Sequence, residues 1–223
     1  MSSKLFADPG LTIEPMKSDR LSRRSFDQAL ISLRDVDPDL GEVLSRLGPP
    51  PMWDRDAGFP TLVQIILEQQ VSLASAKAAF DKLSNKIAPL EPESFLTLDD
   101  TTLKSIGFSG QKGRYCRELA HAIVDGTLDL DVLPSLLDQE IRAELEKVTG
   151  IGPWTADIYL LMALLRPDVW PPGDLALAAA VQDLKGLDHR PRSEELQEIA
   201  RPWRPWRSVA ARILWLHYLN PEF

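Results

Sequence analysis

The chain has 223 residues, 44% of them hydrophobic, with a formal net charge of −8 and a single cysteine, Cys116. That length and apolar content support one domain or two closely joined lobes, and no apolar run reaches the length of a membrane span. One cysteine excludes an internal disulfide framework, a four-cysteine cluster and a cysteine-rich zinc site, and the acidic balance argues against a general polyanion binder.

Residues 1–24 mix Ser, Pro, Lys and Arg with little periodicity and read as a flexible tail, in which Lys17, Arg20, Arg23 and Arg24 are the basic residues within reach of a polyanion or simply solvated. The N-terminus lacks a signal-peptide apolar region, so an intracellular place (cytoplasm or nucleoid) is expected. Ser25–Leu47 has helical spacing, with Phe26, Ala29, Leu30 and Leu33 on one stripe and a break near Asp37-Pro38. Gly48–Pro51 (GPPP) is a stiff linker, and Trp53 follows in a polar loop, read as a packing anchor ahead of a surface for stacking. Phe59–Leu67 starts a strongly apolar helix, which Glu68-Gln69-Gln70-Val71-Ser72 interrupts. Ser72 suits the N-cap of the next helix, SLASAKAAFDKL, whose alanines allow close packing. Leu103–Gly126 reads as a helix–turn–helix, and Leu128–Leu137 as a turn-rich connector.

The most informative stretch is Leu145–Asp174, LEKVTGIGPWTADIYLLMALLRPDVWPPGD. A helix with Ile141, Leu145 and Val148 on one face stops at Thr149-Gly150-Ile151-Gly152. Two glycines two apart allow positive φ and bring bare N–H groups to the surface. Pro153 suits the first turn of a second helix, and WTADIYLLMALL is apolar on nearly every face, hence buried. The result is a helix–hairpin–helix with the positive end of a helix dipole at its turn, a place that suits a phosphate. Pro171 and Pro172 end helical structure, and Asp174 opens the apolar run LALAAAVQDL. An Asp there is first a helix N-cap; a capping Asp can also present an oxygen to a cleft. The last helix, RSVAARILWLHYL, follows the Trp203/Trp206 pair. From Lys185 to Trp215 seven basic residues face four acidic ones, a local excess of +3 in an acidic chain.

Three collinear segments resemble one family. LEKVTGIGPWTADIYLLMALL followed by PPGD, then WRPWRSVAARILW, and upstream IILEQQVSLASA are similar to the helix–hairpin–helix (HhH-GPD) DNA glycosylase superfamily, and within it to the 3-methyladenine DNA glycosylase II (AlkA-like) branch. The resemblance runs from about Phe59 to the C-terminus. It implies an all-α, two-lobed fold with the active site in the cleft between lobes: lobe A about 25–58 plus 175–223, lobe B a helical barrel about 59–174. No β-rich domain is expected ahead of the catalytic part, and a single cysteine cannot hold the iron–sulfur cluster of some relatives.

The resemblance also implies roles. Asp174 falls on the essential Asp, as the catalytic carboxylate. Trp154 and Trp215 fall on aromatic positions of the base pocket; Ile158 and Leu175 stand where alkylation enzymes often carry further aromatics, which leaves the accepted base open. Thr149, Gly150, Ile151 and Gly152 would meet a DNA phosphate, and Lys112, matching the turn before the hairpin with Gly107, either does the same or is a solvated charge. Gln70 falls on the side chain that fills the gap left by an extruded nucleotide. The carbonyls of Glu146, Val148 and Ile151 are the place where relatives hold a monovalent cation; otherwise no metal and no cofactor is expected. Where bifunctional relatives carry a Schiff-base lysine this chain has Trp154, which implies a monofunctional enzyme. The expected function is excision of alkylated purines from double-stranded DNA by base flipping, by a monomer that does not engage membranes. Two other readings remain: the same scaffold with hypoxanthine, ethenoadenine or uracil specificity, and a DNA-binding hairpin module without catalysis.

Overall fold

Ser22 sets the start of the first helix. In the computed structural model, which describes residues 20–221, α1 (Arg23–Val36) is capped by the Ser22 hydroxyl accepting from the Ser25 N–H, while the Ser25 side chain accepts from the Ser22 N–H. This capping box satisfies two otherwise orphaned donors. Leu21 is 3% exposed, and its N–H donates to Leu165 O. The chain is therefore docked from Leu21 onward, which corrects the expectation of a loose tail as far as residue 24. Arg20, Arg23 and Arg24 are exposed, and Lys17 lies outside the described residues.

Asp37 ends α1 and caps α2 (Pro38–Leu47), accepting from the Asp39 and Leu40 N–H groups. Lys185 Nζ lies 2.8 Å from both its carboxylate oxygens, and Trp203 Nε1 donates to one of them at 2.8 Å. Burial alone would raise the Asp37 pKa, but these hydrogen bonds and the Lys185 charge hold it below the usual carboxylate value. One covered carboxylate thus ties the N-terminal helix pair to the C-terminal part of the chain.

The remaining helices are α3 (Phe59–Glu68), α4 (Leu73–Lys86), α5 (Pro92–Leu96), α6 (Asp100–Ile106), α7 (Gly110–Val124), α8 (Asp138–Leu145), α9 (Pro153–Met162), α10 (Leu175–Leu184), α11 (Ser193–Ala200) and α12 (Arg207–Tyr218), with 3-10 turns at Leu133–Ser135 and Arg201–Trp203. No strand occurs among the described residues, so the all-α expectation holds. Helices α1, α2, α10 and α12 pack together; α3 packs on α4, α7 and α9, α8 packs on α9, and α5 and α6 pack on α7. Arg212, fully buried on α12, donates to the carbonyls of Met52, Ser208 and Leu161, and so joins the two sets. Among the described residues, no helix is long and apolar enough to cross a membrane.

Helices α8 and α9 are clamped by Arg142, whose Nε lies 2.5 Å from Asp157 Oδ1. Burial pushes the Asp157 pKa up to about 6, outweighing the Arg142 charge. Because the folded-state value lies above the unfolded one, the protonated carboxyl favours folding. That contribution is complete below pH 3.8 and is lost as pH rises through about 6. Asp157→Asn keeps an acceptor for Arg142 and removes the titration. Its stability relative to the wild type is therefore expected to rise across that window by on the order of 3 kcal/mol. Urea melts of both proteins at several pH values check this, and parallel pH profiles would contradict it.

Candidate functional site

The hairpin between α8 and α9 is built on two tight turns: the Val148 N–H donates to Leu145 O and the Ile151 N–H to Val148 O. One lone pair of the Val148 carbonyl, among the carbonyls named above, is thereby used. Gly150 sits at φ +99°, and a Cβ there would lie 2.2 Å from Tyr115 Cγ. No other residue fits, both for conformation and for space. Gly152 differs. Its φ of −105° and ψ of −178° are extended backbone, and a Cβ would meet nothing within 4 Å. The expectation that both glycines use positive φ is corrected: only Gly150 does. As the N-cap of α9, Gly152 offers no side chain, so the first-turn N–H groups of that helix lack a side-chain cap. They are left to solvent or a ligand, at the positive end of the helix dipole.

The loop between α3 and α4 is fastened to this hairpin. Gln69 Nε2 donates to Gly150 O at 2.9 Å and to Thr155 Oγ1 at 3.0 Å. Its neighbour Gln70 is exposed with φ +55°, beside the exposed side chains of Val71 and Leu73. Two adjacent glutamines therefore do opposite things, one stapling and one projecting. Gln69→Ala is expected to lower stability by about 1–2 kcal/mol, because the Gly150 carbonyl loses its partner. Gln70→Ala should change it by less than about 0.5 kcal/mol. Denaturant midpoints of the two variants decide; equal effects would refute the assignment. Lys112, on α7, turns inward: its Nζ donates to Leu67 O at 2.5 Å, at the carbonyl end of α3, and burial lowers its pKa. It is neither a freely solvated charge nor a projecting one.

Asp174 stands at the N-cap of α10. Its Oδ1 accepts from the Leu177 N–H at 2.9 Å and from Trp215 Nε1 at 3.4 Å; its Oδ2 accepts from Trp154 Nε1 at 2.9 Å. The cap and cleft roles thus converge on one side chain. All three donors are neutral, and no Lys or Arg pairs with it among the described residues. The carboxylate is preorganised but its charge is not cancelled by a counter-ion. It is 7% exposed, more closely covered than an open cleft residue. Trp154 is half-buried and Trp215 is 9% exposed, so the structure brings together the three residues expected at the centre of the site. Of the other two, Ile158, one turn after Trp154 on α9, is in the core at 2% exposure, and Leu175, next to Asp174, is 71% exposed.

Residues 63–205 match the sequence profile described as HhH-GPD superfamily base excision DNA repair protein. The chain belongs to that superfamily. It is 30% identical to YfjP of Bacillus subtilis (strain 168) over 70% of this chain and 58% of that relative, so it spans less than two thirds of YfjP. It is 24% identical to the alkylbase DNA glycosidase-like protein mag2 of Schizosaccharomyces pombe over 82% of this chain and 89% of mag2. Its fold is that of the S. pombe 3-methyladenine DNA glycosylase Mag1 solved with abasic DNA, at a TM-score of 0.82 and 23% identity over 88% of this chain and 98% of that one.

Several supporting residues of this HhH-GPD site escape a reading of the sequence. Gln69 and Tyr115 act on the hairpin across long separations that no local pattern reports. The doubled glutamine was the one available sign. Three of the basic residues between Lys185 and Trp215 are engaged within the fold: Lys185 pairs with Asp37 and Asp39, Arg207 with Asp168, and Arg212 with backbone carbonyls. Arg190, Arg192, Arg201 and Arg204 are exposed, Arg201 pairing with Glu198 at the surface. Trp203, 1% exposed, serves Asp37 rather than a ligand.

Proposed function

We propose that this HhH-GPD protein is a monofunctional DNA glycosylase of base excision repair that removes alkylated purines of the 3-methyladenine and 7-methylguanine type. The observation that carries the reading is Asp174, held by a helix N-terminus and two indole N–H groups with no cation on it. Names borne by relatives, mag2 and Mag1 among them, support the same substrate class.

An N3- or N7-alkylated purine is cationic, so its bond to C1′ is already weakened. As the bond breaks, its electron pair leaves with the base, which departs neutral, and positive charge develops on the sugar. The Asp174 carboxylate stabilises that charge, and water adds to C1′ with loss of a proton to Asp174 or to solvent. An abasic site remains. Trp154 and Trp215 offer electron-rich faces to the cationic base, worth about 0.5–2 kcal/mol. Since so little of Asp174 is exposed, entry of the nucleotide has to displace one of the indoles.

On the DNA side, the N–H groups of Gly150 and Gly152 and those in the first turn of α9 receive a phosphate of the duplex. Thr149 and Ile151 shape that turn, and the space around Gly152 lets the strand come close. Gln70 enters the duplex beside the extruded nucleotide, and Lys112 contributes by holding the end of α3 under that loop. The two helix sets act as the lobes on either side of the cleft. With a net charge of −8 and few phosphate contacts, duplex binding is expected to be modest and salt-sensitive, with a slope set by that small number of contacts.

The test is incubation with duplexes carrying 3-methyladenine, 7-methylguanine, ethenoadenine, hypoxanthine or uracil, followed by alkali. Alkali-dependent cleavage at the alkylated purines is expected. Intact strands throughout would leave a binding module, cleavage only at neutral bases would move the specificity, and breaks without alkali would contradict the monofunctional assignment.

A further inference from the structure

The loop from Gly48 to Gly58 is anchored far more tightly than a connection between helices requires. Met52 O accepts from the buried Arg212 Nε at 2.5 Å, and the Arg55 N–H donates to Met162 O at 2.9 Å. The Arg55 guanidinium makes two hydrogen bonds to Glu68, at 2.8 and 3.0 Å. Asp56 O accepts from Thr61 Oγ1 at 2.6 Å, and the Gly58 N–H donates to the Tyr159 hydroxyl at 3.0 Å. Anchors from α3, α9 and α12 thus fix the backbone on both sides of one large side chain, Trp53.

Trp53 has φ +46°, in the left-handed region where a bulky residue is strained. A residue that only filled space would do so in a relaxed conformation. Here the surrounding hydrogen bonds hold the strain, and the result is a definite position. The half-buried indole meets the Trp215 ring edge-on, with centroids 6.5 Å apart and planes at 69°. Trp215 in turn donates to Asp174. Trp53, Trp215, Asp174 and Trp154 therefore form one continuous chain of contacts. The sequence reading of Trp53 as a packing anchor accounts for its Trp215 contact and not for the strain.

We propose that Trp53 is a specificity-determining residue of this site, its indole forming an additional aromatic wall that favours a cationic base over a neutral one. The inference rests on the glycosylase reading above. A ring set at 69° to Trp215, which itself donates to Asp174, brings a second quadrupole to the same aromatic cluster, and the attraction of such a face for a cation does not extend to a neutral base of the same shape.

Trp53→Leu and Trp53→Phe separate this from a scaffold role, because both keep a bulky side chain under the same backbone strain and only Phe keeps a π face. The readouts are single-turnover excision of 7-methylguanine and affinity for a duplex with a tetrahydrofuran abasic site, which has no base to contact the wall. Trp53→Leu is expected to lose about tenfold in excision and to keep wild-type affinity for the abasic duplex, while Trp53→Phe retains most of the excision. Equal excision by the Leu and Phe variants would overturn the proposal, as would a loss of abasic-duplex affinity matching the loss of excision. Wild-type protein that releases no alkylated base would bring down the glycosylase reading and this inference with it. An active wild type with an equally active Trp53→Leu would sink this inference alone.

Discussion

Asp174→Asn is expected to lower release of 7-methylguanine or 3-methyladenine by about 10²–10³-fold while leaving duplex affinity close to that of the wild type. The substitution isolates charge from shape. Asparagine is as good an N-cap as aspartate, so its carbonyl oxygen still accepts from the Leu177 N–H and α10 keeps its start. What disappears is the negative charge that stabilises the developing sugar cation, an electrostatic contribution of the size usual for one preorganised group. A smaller cost falls on stability. The amide Nδ2 is a donor, so the Trp154 indole, which now donates at 2.9 Å, loses its acceptor. That should destabilise the fold by about 1–2 kcal/mol. Single-turnover assays and urea melts separate the two effects. Excision by the variant at the wild-type rate would refute the role given to Asp174.

Gly150→Ala should have the largest effect on the fold, about 2–4 kcal/mol. Two independent causes add: an Ala at φ +99° is strained, and its Cβ would lie 2.2 Å from Tyr115 Cγ, inside the ring's own volume. Either Tyr115 or the hairpin has to move, and a moved hairpin carries Gly150 O away from Gln69. Loss of duplex affinity is expected along with the loss of stability. Adding Tyr115→Ala should return the steric part and leave the strain, so the double variant should be more stable than the sum of the two single losses predicts. Gly152→Ala provides the contrast, since its backbone is relaxed and its surroundings open. That variant should fold normally and still bind duplex poorly, because the methyl group occupies the space assigned to the phosphate. Wild-type stability in Gly150→Ala, or strict additivity with Tyr115→Ala, would show that the tight turn is not the constraint it is taken to be.

These effects also mark what a sequence reveals. The helix–hairpin–helix was legible because its signals are local: an amphipathic helix, a Gly-Ile-Gly stop, Pro153 at the first helical position and an apolar run beyond it. The place of Asp174 was legible for the same reason, since Pro-Pro-Gly-Asp before an apolar run is both a stop and a cap. Periodicity reports which face of a helix is buried, but not what lies across from it. The Gln69 contact to the hairpin, the Tyr115 ring under Gly150 and the inward turn of Lys112 all depend on partners far away in sequence. Leu21 was missed because a single docked leucine makes no pattern. Charge is silent in the same way: counting basic residues between Lys185 and Trp215 does not report that Lys185, Arg207 and Arg212 are already engaged inside the fold. Trp53 could be found in the sequence, but its strained φ and its contact with Trp215 could not.

The most direct measurement of the central claim compares affinities for two uncleavable duplexes that differ by one charge. One carries a neutral tetrahydrofuran abasic site; the other carries a pyrrolidine in its place, whose protonated nitrogen mimics the cationic sugar. If Asp174 stabilises that cation, the wild type should bind the pyrrolidine duplex at least about tenfold more tightly, and Asp174→Asn should bind the two alike. The same preference in both proteins, or none in the wild type, would contradict the role assigned to Asp174.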